Sequence, residues 1–249
     1  MTPIVIIPAR LASSRLPGKP LADIGGRPMI VRVMERALAA GIGPVAEACG
    51  EAAIAAAVEA AGGRAVLTDP ELPSGSDRVQ QALAILDPDG RFDVVVNLQG
   101  DVPTIDPATI RAALLPLADP SIDIGTLVVP IADDAEAATA SFVKTACAFP
   151  PGAAVAPALY FSRASIPWGE GPRWHHIGIY AFRRAALARF VALPASLLER
   201  REGLEQLRAL EAGMRIGCAR VAHGPFGVDT PADLERARRI VASTDRETT

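Results

Sequence analysis

Ile4-Val5-Ile6-Ile7-Pro8-Ala9-Arg10-Leu11-Ala12-Ser13-Ser14-Arg15-Leu16-Pro17-Gly18-Lys19-Pro20-Leu21 passes from an apolar run of strand length straight into a loop of small residues and cations. In open α/β sheets, ligands bind just beyond the carboxyl ends of the strands, which is where this loop falls. Its backbone amides, its two arginines and its lysine are what a triphosphate needs, and Gly18 would let the backbone approach closely. It is not a Walker A loop, because Lys19 is followed by Pro20 and the G-x-x-x-x-G-K-[ST] spacing is absent. A solvated basic loop is the competing reading. The position after a first strand and the Gly/Pro frame favour phosphate binding.

Outward from this stretch, short apolar runs alternate with helical patterns. Residues 28–40 carry Ile30, Val33, Met34, Ala37 and Leu38 at helical spacing, with Pro28 at the start. A strand at 45–49, an Ala-rich helix at 51–61 stopped by Gly62-Gly63, a strand at 64–67 and a helix at 76–86 follow. Residues 93–98 form a continuous apolar run, as expected of a parallel strand covered on both faces. A helix at 107–117 and a strand at 124–131 complete an alternation that predicts a parallel, doubly wound sheet. The second half reads differently. Strands at 142–149, 158–161 and 177–182, with no clear helix between the first two, predict an antiparallel extension that carries a dimer surface. Helices at 184–191, 203–212 and 231–241 and a strand at 215–221 complete the pattern, and the polar residues 243–249 read as a frayed tail.

Composition narrows the function. The 249 residues are half apolar, 21% charged and carry a net charge of −3, so there is no broad attraction for nucleic acid or for an anionic membrane. No apolar run approaches the roughly 20 residues that span a bilayer, and the N-terminus lacks the basic region of a signal peptide. Cys49, Cys147 and Cys218 are odd in number and far apart, which fits reduced thiols in a cytoplasmic protein. The three histidines have no zinc spacing, and no Ser/His/Asp order or G-x-S-x-G elbow is present. A small-molecule substrate and no covalent protein intermediate are expected.

Further segments give the chain its resemblance. With Ala9-Arg10 and Ser14-Arg15-Leu16-Pro17-Gly18-Lys19-Pro20-Leu21 stand Pro73-Ser74-Gly75-Ser76-Asp77-Arg78 and Val96-Asn97-Leu98-Gln99-Gly100-Asp101. Tyr160–Trp168, His176-Ile177-Gly178-Ile179-Tyr180, Ser196-Leu197-Leu198-Glu199, Glu202–Arg208 and Val228-Asp229-Thr230-Pro231 follow in order. Together they resemble the 3-deoxy-manno-octulosonate (Kdo) cytidylyltransferases, within the wider sugar nucleotidyltransferases, over essentially the whole chain. The resemblance implies a single Rossmann-like α/β nucleotidyltransferase domain, 1–249, with a nucleotide-binding half at 1–131 and a sugar-binding and dimerisation half at 132–249. It implies a homodimer that joins CTP to Kdo for lipopolysaccharide synthesis.

The implied site follows residue by residue. Pro8, Ala9, Arg10, Ser14, Arg15 and Lys19 would hold the nucleotide's phosphates, and Ser74, Gly75, Arg78 and Gln99 its base side. Arg10 and Lys19 would stabilise charge on the leaving group, and Asp101 and Asp229 would bind Mg²⁺. Gln99, Arg163, His176, Tyr180, Glu205 and Gln206 would bind the sugar acid. Taken alone, Asp101 and Asp229 read equally well as turn or helix-cap residues, and Arg78 as an exposed first-turn residue. Tyr180 and His176 read equally well as packing groups.

The chain also departs from the family pattern. Cys49-Gly50-Glu51 stands where a T-D-D run is usual, Val102 replaces an acidic residue after Asp101, and Ala140-Ser141-Phe142-Val143-Lys144 is altered. These changes leave room for a cytidylyltransferase of 8-amino-Kdo or a sialic acid, or for a weak nucleotide-binding relative. The Arg15–Pro20 loop favours the Kdo type over the sialic type.

Overall fold

The computed structural model describes residues 1–13 and 15–247. The first half runs β1 Pro3–Ala9, α1 Met29–Ala40, β2 Val45–Cys49, α2 Ala52–Ala60, β3 Ala65–Leu67, α3 Gly75–Leu86, β4 Val94–Asn97, α4 Pro107–Ala112 and β5 Ile124–Pro130. The second runs α5 Asp134–Ala138, β6 Lys144–Ala146, β7 Val155–Pro157, β8 Tyr160–Ser162, β9 Trp174–Arg183, α6 Arg184–Ala192, α7 Leu197–Glu202, α8 Leu207–Glu211, β10 Ile216–Arg220 and α9 Pro231–Glu247. The chain divides into two compact units: Met1–Ile110 joined by the segment from Pro225 onward, and Arg111–Gly224.

In the first unit the strands lie in the order β3-β2-β1-β4 and all pair in parallel. Ile4, Val5, Ile6 and Ile7 of β1 and Val94, Val95 and Val96 of β4 are all at most 1% exposed. Alternation of faces is lost because helices cover both sides, so continuous apolar runs are the stable choice. The last helix returns to this unit. Leu234, Ala237 and Val241 of α9 pack with Val228 against Ile24 and Met29, and that small core anchors the segment in which Asp229 lies. Helix α9 also extends past the predicted 231–241, so residues 243–247, read as a frayed tail, are helical.

The second unit is mixed. Strand β5 runs parallel to β10 and antiparallel to β9, while β7 is antiparallel to β10. Strand β6 pairs antiparallel with both β8 and β9. The predicted antiparallel extension is therefore present, with one parallel pair inside it. Four predicted elements change. The strand at 142–149 shortens to β6. The strand at 158–161 becomes β7 and β8, because the Ala158 N–H turns to Ile216 O and the Leu159 N–H to Ala146 O, so the chain changes partner there. The helix at 203–212 breaks because Gly203, at φ 65°, ends α7; α8 starts only at Leu207. The helix at 107–117 stops as α4 and resumes as a 3-10 turn at Leu115–Ala118, which holds Pro116. Helix α5 was not foreseen; the Asp133 side chain caps it by accepting from the Glu136 N–H.

Among the described residues no helix is long and apolar enough to cross a membrane. One residue works against the fold. Glu47, in the middle of β2, is 0% exposed, and among the described residues neither carboxylate oxygen has a hydrogen-bond partner. Burial without a partner disfavours the charged form and pushes its carboxyl up to about 8. Between the ordinary carboxyl value and pH 8 the folded chain keeps a proton that the unfolded chain releases, so stability falls as pH rises through that window. Glu47→Met, unbranched and apolar, removes this penalty. It is expected to raise the melting temperature by roughly 5 °C at pH 8 and by less than half of that at pH 5. Paired thermal melts at the two pH values check this.

Candidate functional site

Lys19 lies at the centre of the first unit's polar edge. Gly18 sits at φ 67°, a left-handed backbone that favours glycine. A bond from the Lys19 N–H to Leu16 O at 3.1 Å closes the turn before it, and the 3-10 turn Lys19–Leu21 follows, its Leu21 N–H donating to Gly18 O at 2.9 Å. Lys19 Nζ donates to Asp101 Oδ2 at 2.8 Å and to Asp229 Oδ1 at 3.1 Å. Burial alone would lower its pKa; Asp101 and then Asp229 outweigh that and hold the ammonium above its ordinary value. Arg15 Nη2 reaches the same Asp229 oxygen at 3.1 Å. Ser14 lies outside the described residues.

Two local devices free the carboxylates for this role. Asp101 lies in a turn four residues beyond β4, and its carbonyl accepts the Val228 N–H at 2.9 Å. The helix-cap role that competed for Asp229 falls to its neighbours. Thr230 Oγ1 accepts the Asp233 N–H at 3.2 Å, and Asp233 Oδ2 accepts from the Asp229 N–H, the Thr230 N–H and the Thr230 hydroxyl. The Asp229 side chain is left facing Lys19. Asp101 Oδ2 and Asp229 Oδ1 both touch one nitrogen, so they are no more than about 6 Å apart. An ammonium already bridges them, and hard carboxylate oxygens suit Mg²⁺. The pair therefore fits a shared cation, with further ligands left to substrate and water. Among the described residues no third His, Cys, Asp or Glu joins them. Val102 is buried at 6% exposed and packs as a core residue.

A cavity of about 390 Å³ opens over this cluster and is lined by Pro8, Ala9, Arg10, Arg15, Lys19, Gln99, Asp101 and Asp229. A second, of about 190 Å³, shares Pro8, Ala9, Arg10 and Gln99 and adds Ser74, Gly75 and Arg78. Ser74 caps α3 by accepting from the Asp77 N–H, and its hydroxyl donates to Asp77 Oδ2 at 2.6 Å. Arg78 is not the exposed first-turn residue that its helix position allows. It is 2% exposed and donates to Thr68 Oγ1 at 2.6 Å, Asp69 O at 3.1 Å and Pro70 O at 3.3 Å.

The remaining candidates belong to the second unit. His176 and Tyr180 share strand β9, their rings 5.5 Å apart. His176 is buried, its Nε2 lies 2.9 Å from Thr126 Oγ1, and Phe161 packs edge-on against it. Burial pushes its imidazole down to about 3. Tyr180 is half-buried, and burial followed by the charge of Glu205 raises its phenol. Gln206, next to Glu205, is buried. Arg163 is exposed, yet its guanidinium donates to the carbonyls of Glu202, Ala140 and Gly203. Two residues that the sequence shows only inside departures from the family pattern, without assigning them a role, matter here. Lys144 is fully buried and donates to the carbonyls of Thr139, Phe142 and Arg163. Glu51 accepts the Leu11 N–H at 2.9 Å. A lysine inside a strand, within the altered 140–144 segment, was the trace of the first. A glutamate at a helix start, where shorter side chains cap better, was the trace of the second.

A fold of this kind, with two acids and a lysine beside a loop that follows the first strand, is that of a nucleotidyltransferase. Residues 4–216 match the family model described as cytidylyltransferase. The 3-deoxy-manno-octulosonate cytidylyltransferase of Paramagnetospirillum magneticum is 58% identical over 97% of this chain and 98% of its own. That of Rhodospirillum centenum is 63% identical over 96% and 93%. A solved structure of CMP:2-keto-3-deoxy-manno-octonic acid synthetase complexed with CTP is 41% identical, with a TM-score of 0.90 over 98% of this chain and 100% of that one. A nucleotidyl transferase of Methanothermobacter thermautotrophicus, 17% identical with a TM-score of 0.60, shares the fold. The chain belongs to the 3-deoxy-manno-octulosonate cytidylyltransferase family.

Because burial holds His176 near 3, it stays neutral in the folded protein across the physiological range. Its ring resonances in an NMR titration are expected to stay flat from about pH 5 to 8. A midpoint inside that range would contradict its placement.

Proposed function

We propose that the chain transfers CMP from CTP to Kdo, releasing diphosphate, and that it does so as one nucleotidyltransferase domain that assembles as a homodimer. The observation that carries the reading is the bridge from Lys19 Nζ to Asp101 and Asp229, set below a cavity lined by Arg10 and Arg15. The family membership supports the choice of CTP and of Kdo.

The chain's own residues divide the work. Arg10, Arg15 and Lys19 supply fixed positive charge to the phosphates, and Pro8, Ala9 and Ser14 supply the backbone around them. Arg10 and Lys19 stabilise the charge that develops on the leaving diphosphate. Ser74, Gly75, Arg78 and Gln99 read the base, where a wrong edge would leave buried polar groups unpaired. Arg163, His176, Tyr180, Glu205, Gln206 and Gln99 take the sugar acid. The anomeric hydroxyl of Kdo attacks the α-phosphorus, and orientation provides much of the rate. Asp101 and Asp229 would hold Mg²⁺, which when bound supplies Lewis acidity to hydroxyl and phosphate oxygens. The net charge of −3 supports small-molecule partners over nucleic acid. A cytoplasmic setting agrees with the free cysteines Cys49, Cys147 and Cys218.

Diphosphate release is to be measured with each nucleotide, Mg²⁺ and a panel of sugar acids. CTP with Kdo should far exceed ATP or GTP, and comparable kcat/KM with ATP would remove the assignment. Preference for 8-amino-Kdo or a sialic acid would keep the reaction and change the acceptor. Asp101→Asn and Asp229→Asn should each lower kcat by about 10²-fold or more while melting close to wild type. The double variant should be little worse than either, because the two act as a unit. Multiplying effects would argue for separate roles. Lys19→Ala should lower kcat and kcat/KM together, by about 10²-fold.

A further inference from the structure

We propose that Glu51 is a positioning residue for the nucleotide: it fixes the start of the phosphate loop through the Leu11 N–H and sets the local charge beside Arg10 and Arg78. The inference rests on the nucleotide-binding reading above and adds a residue to it. Glu51 occupies the N-cap of α2, yet its side chain makes no cap bond to that helix. Instead Oε2 accepts the Leu11 N–H at 2.9 Å, across the carboxyl edge of β1 and β2. Leu11 follows Arg10 directly, so this bond pins the backbone from which Arg10 projects.

The charge around it makes the second half of the case. A Cβ placed at Gly50 would lie 3.1 Å from Arg78 Nη1 and 3.4 Å from Arg10 Cβ, so the two arginines flank the residue that precedes Glu51. Burial depresses the Arg78 guanidinium; Glu51 is the foremost charge opposing that, and Arg10 acts in the same direction as burial. Arg10 on the phosphate side and Arg78 on the base side are two cations held close together, and they repel one another. A carboxylate beside them offsets that repulsion and keeps the empty site formed. Gly50 itself supplies no side chain to do so. The bond to Leu11 needs only an acceptor, whereas the offset needs a full charge. The two parts of the role can therefore be separated by substitution.

Glu51→Ala removes both parts, and Glu51→Gln keeps the acceptor and removes the charge. Three readouts apply: hydrogen–deuterium exchange of the Leu11 amide without nucleotide, CTP affinity by calorimetry, and the split between KM and kcat. In Glu51→Ala the Leu11 amide should exchange at least about tenfold faster, since its half-buried acceptor is gone. CTP affinity should fall about tenfold and KM for CTP should rise in step, with kcat within about twofold, because the lost interaction is made equally in ground and transition states. Glu51→Gln should keep Leu11 protected and bind CTP with intermediate affinity. If Glu51→Ala fails to fold, Glu51→Gln decides: wild-type CTP affinity in it overturns the charge role. Unchanged exchange and affinity in Glu51→Ala overturn the proposal outright, and so does a fall in kcat with KM untouched. A wild-type chain that binds CTP but does not turn it over would count against the reaction and leave this inference to the exchange and affinity measurements. A wild-type chain that does not bind CTP would overturn both.

Discussion

One backbone hydrogen bond organises the candidate site: the Val228 N–H to the Asp101 carbonyl. Asp101 comes from the turn after β4 and Asp229 from the chain returning ahead of α9, nearly half the sequence later. Two carboxylates at close range repel, and neither segment has a regular element to hold it beside the other. The bond fixes the two backbones, and the Lys19 ammonium offsets the charge. Packing of Val228, Leu234 and Ala237 with Ile24 and Met29 anchors the Val228 end of that bond. The chemistry of the edge thus depends on the core beneath the last helix.

The same economy of local bonds runs through the loop. Gly18 turns the chain so that Lys19 can point at both acids, and Glu51 fixes the residue after Arg10. Thr230 and Asp233 take over capping so that Asp229 does not. Stability is given up elsewhere. Glu47 lies inside β2 with no hydrogen-bond partner among the described residues, where an apolar side chain would serve the fold better.

Much of this was legible in the sequence because it follows from periodicity. Strand β2 falls at 45–49 as read, and β1, β4, β5 and α1 fall within a few residues, since buried runs and helical spacing are strong signals. The β7–β8 pair was not legible, because the change of partner at Ala158 and Leu159 depends on strands distant in sequence. Helix α7 could have been read: Ser196 and Glu199 form a capping box, and Gly203 marks its end. Among site residues, the ambiguity of Asp229 turned on Thr230 and Asp233, whose side chains compete for the same cap. The burial of Arg78 depends on Thr68, Asp69 and Pro70, which no helix-position rule anticipates. The corner formed by Leu11, Glu51 and Arg78 exists only once β1 and β2 are side by side.

The central claim is that Asp101 and Asp229 form one cation site, at the point where Lys19 now bridges them. A crystal structure of the complex with CTP and Mn²⁺, with the metal located by its anomalous scattering, tests it most directly. The account predicts a metal peak within about 2.0–2.3 Å of an oxygen from each carboxylate, with Lys19 turned toward the phosphates. A metal bound by only one of the two, with Lys19 still joining Asp101 to Asp229, would contradict it.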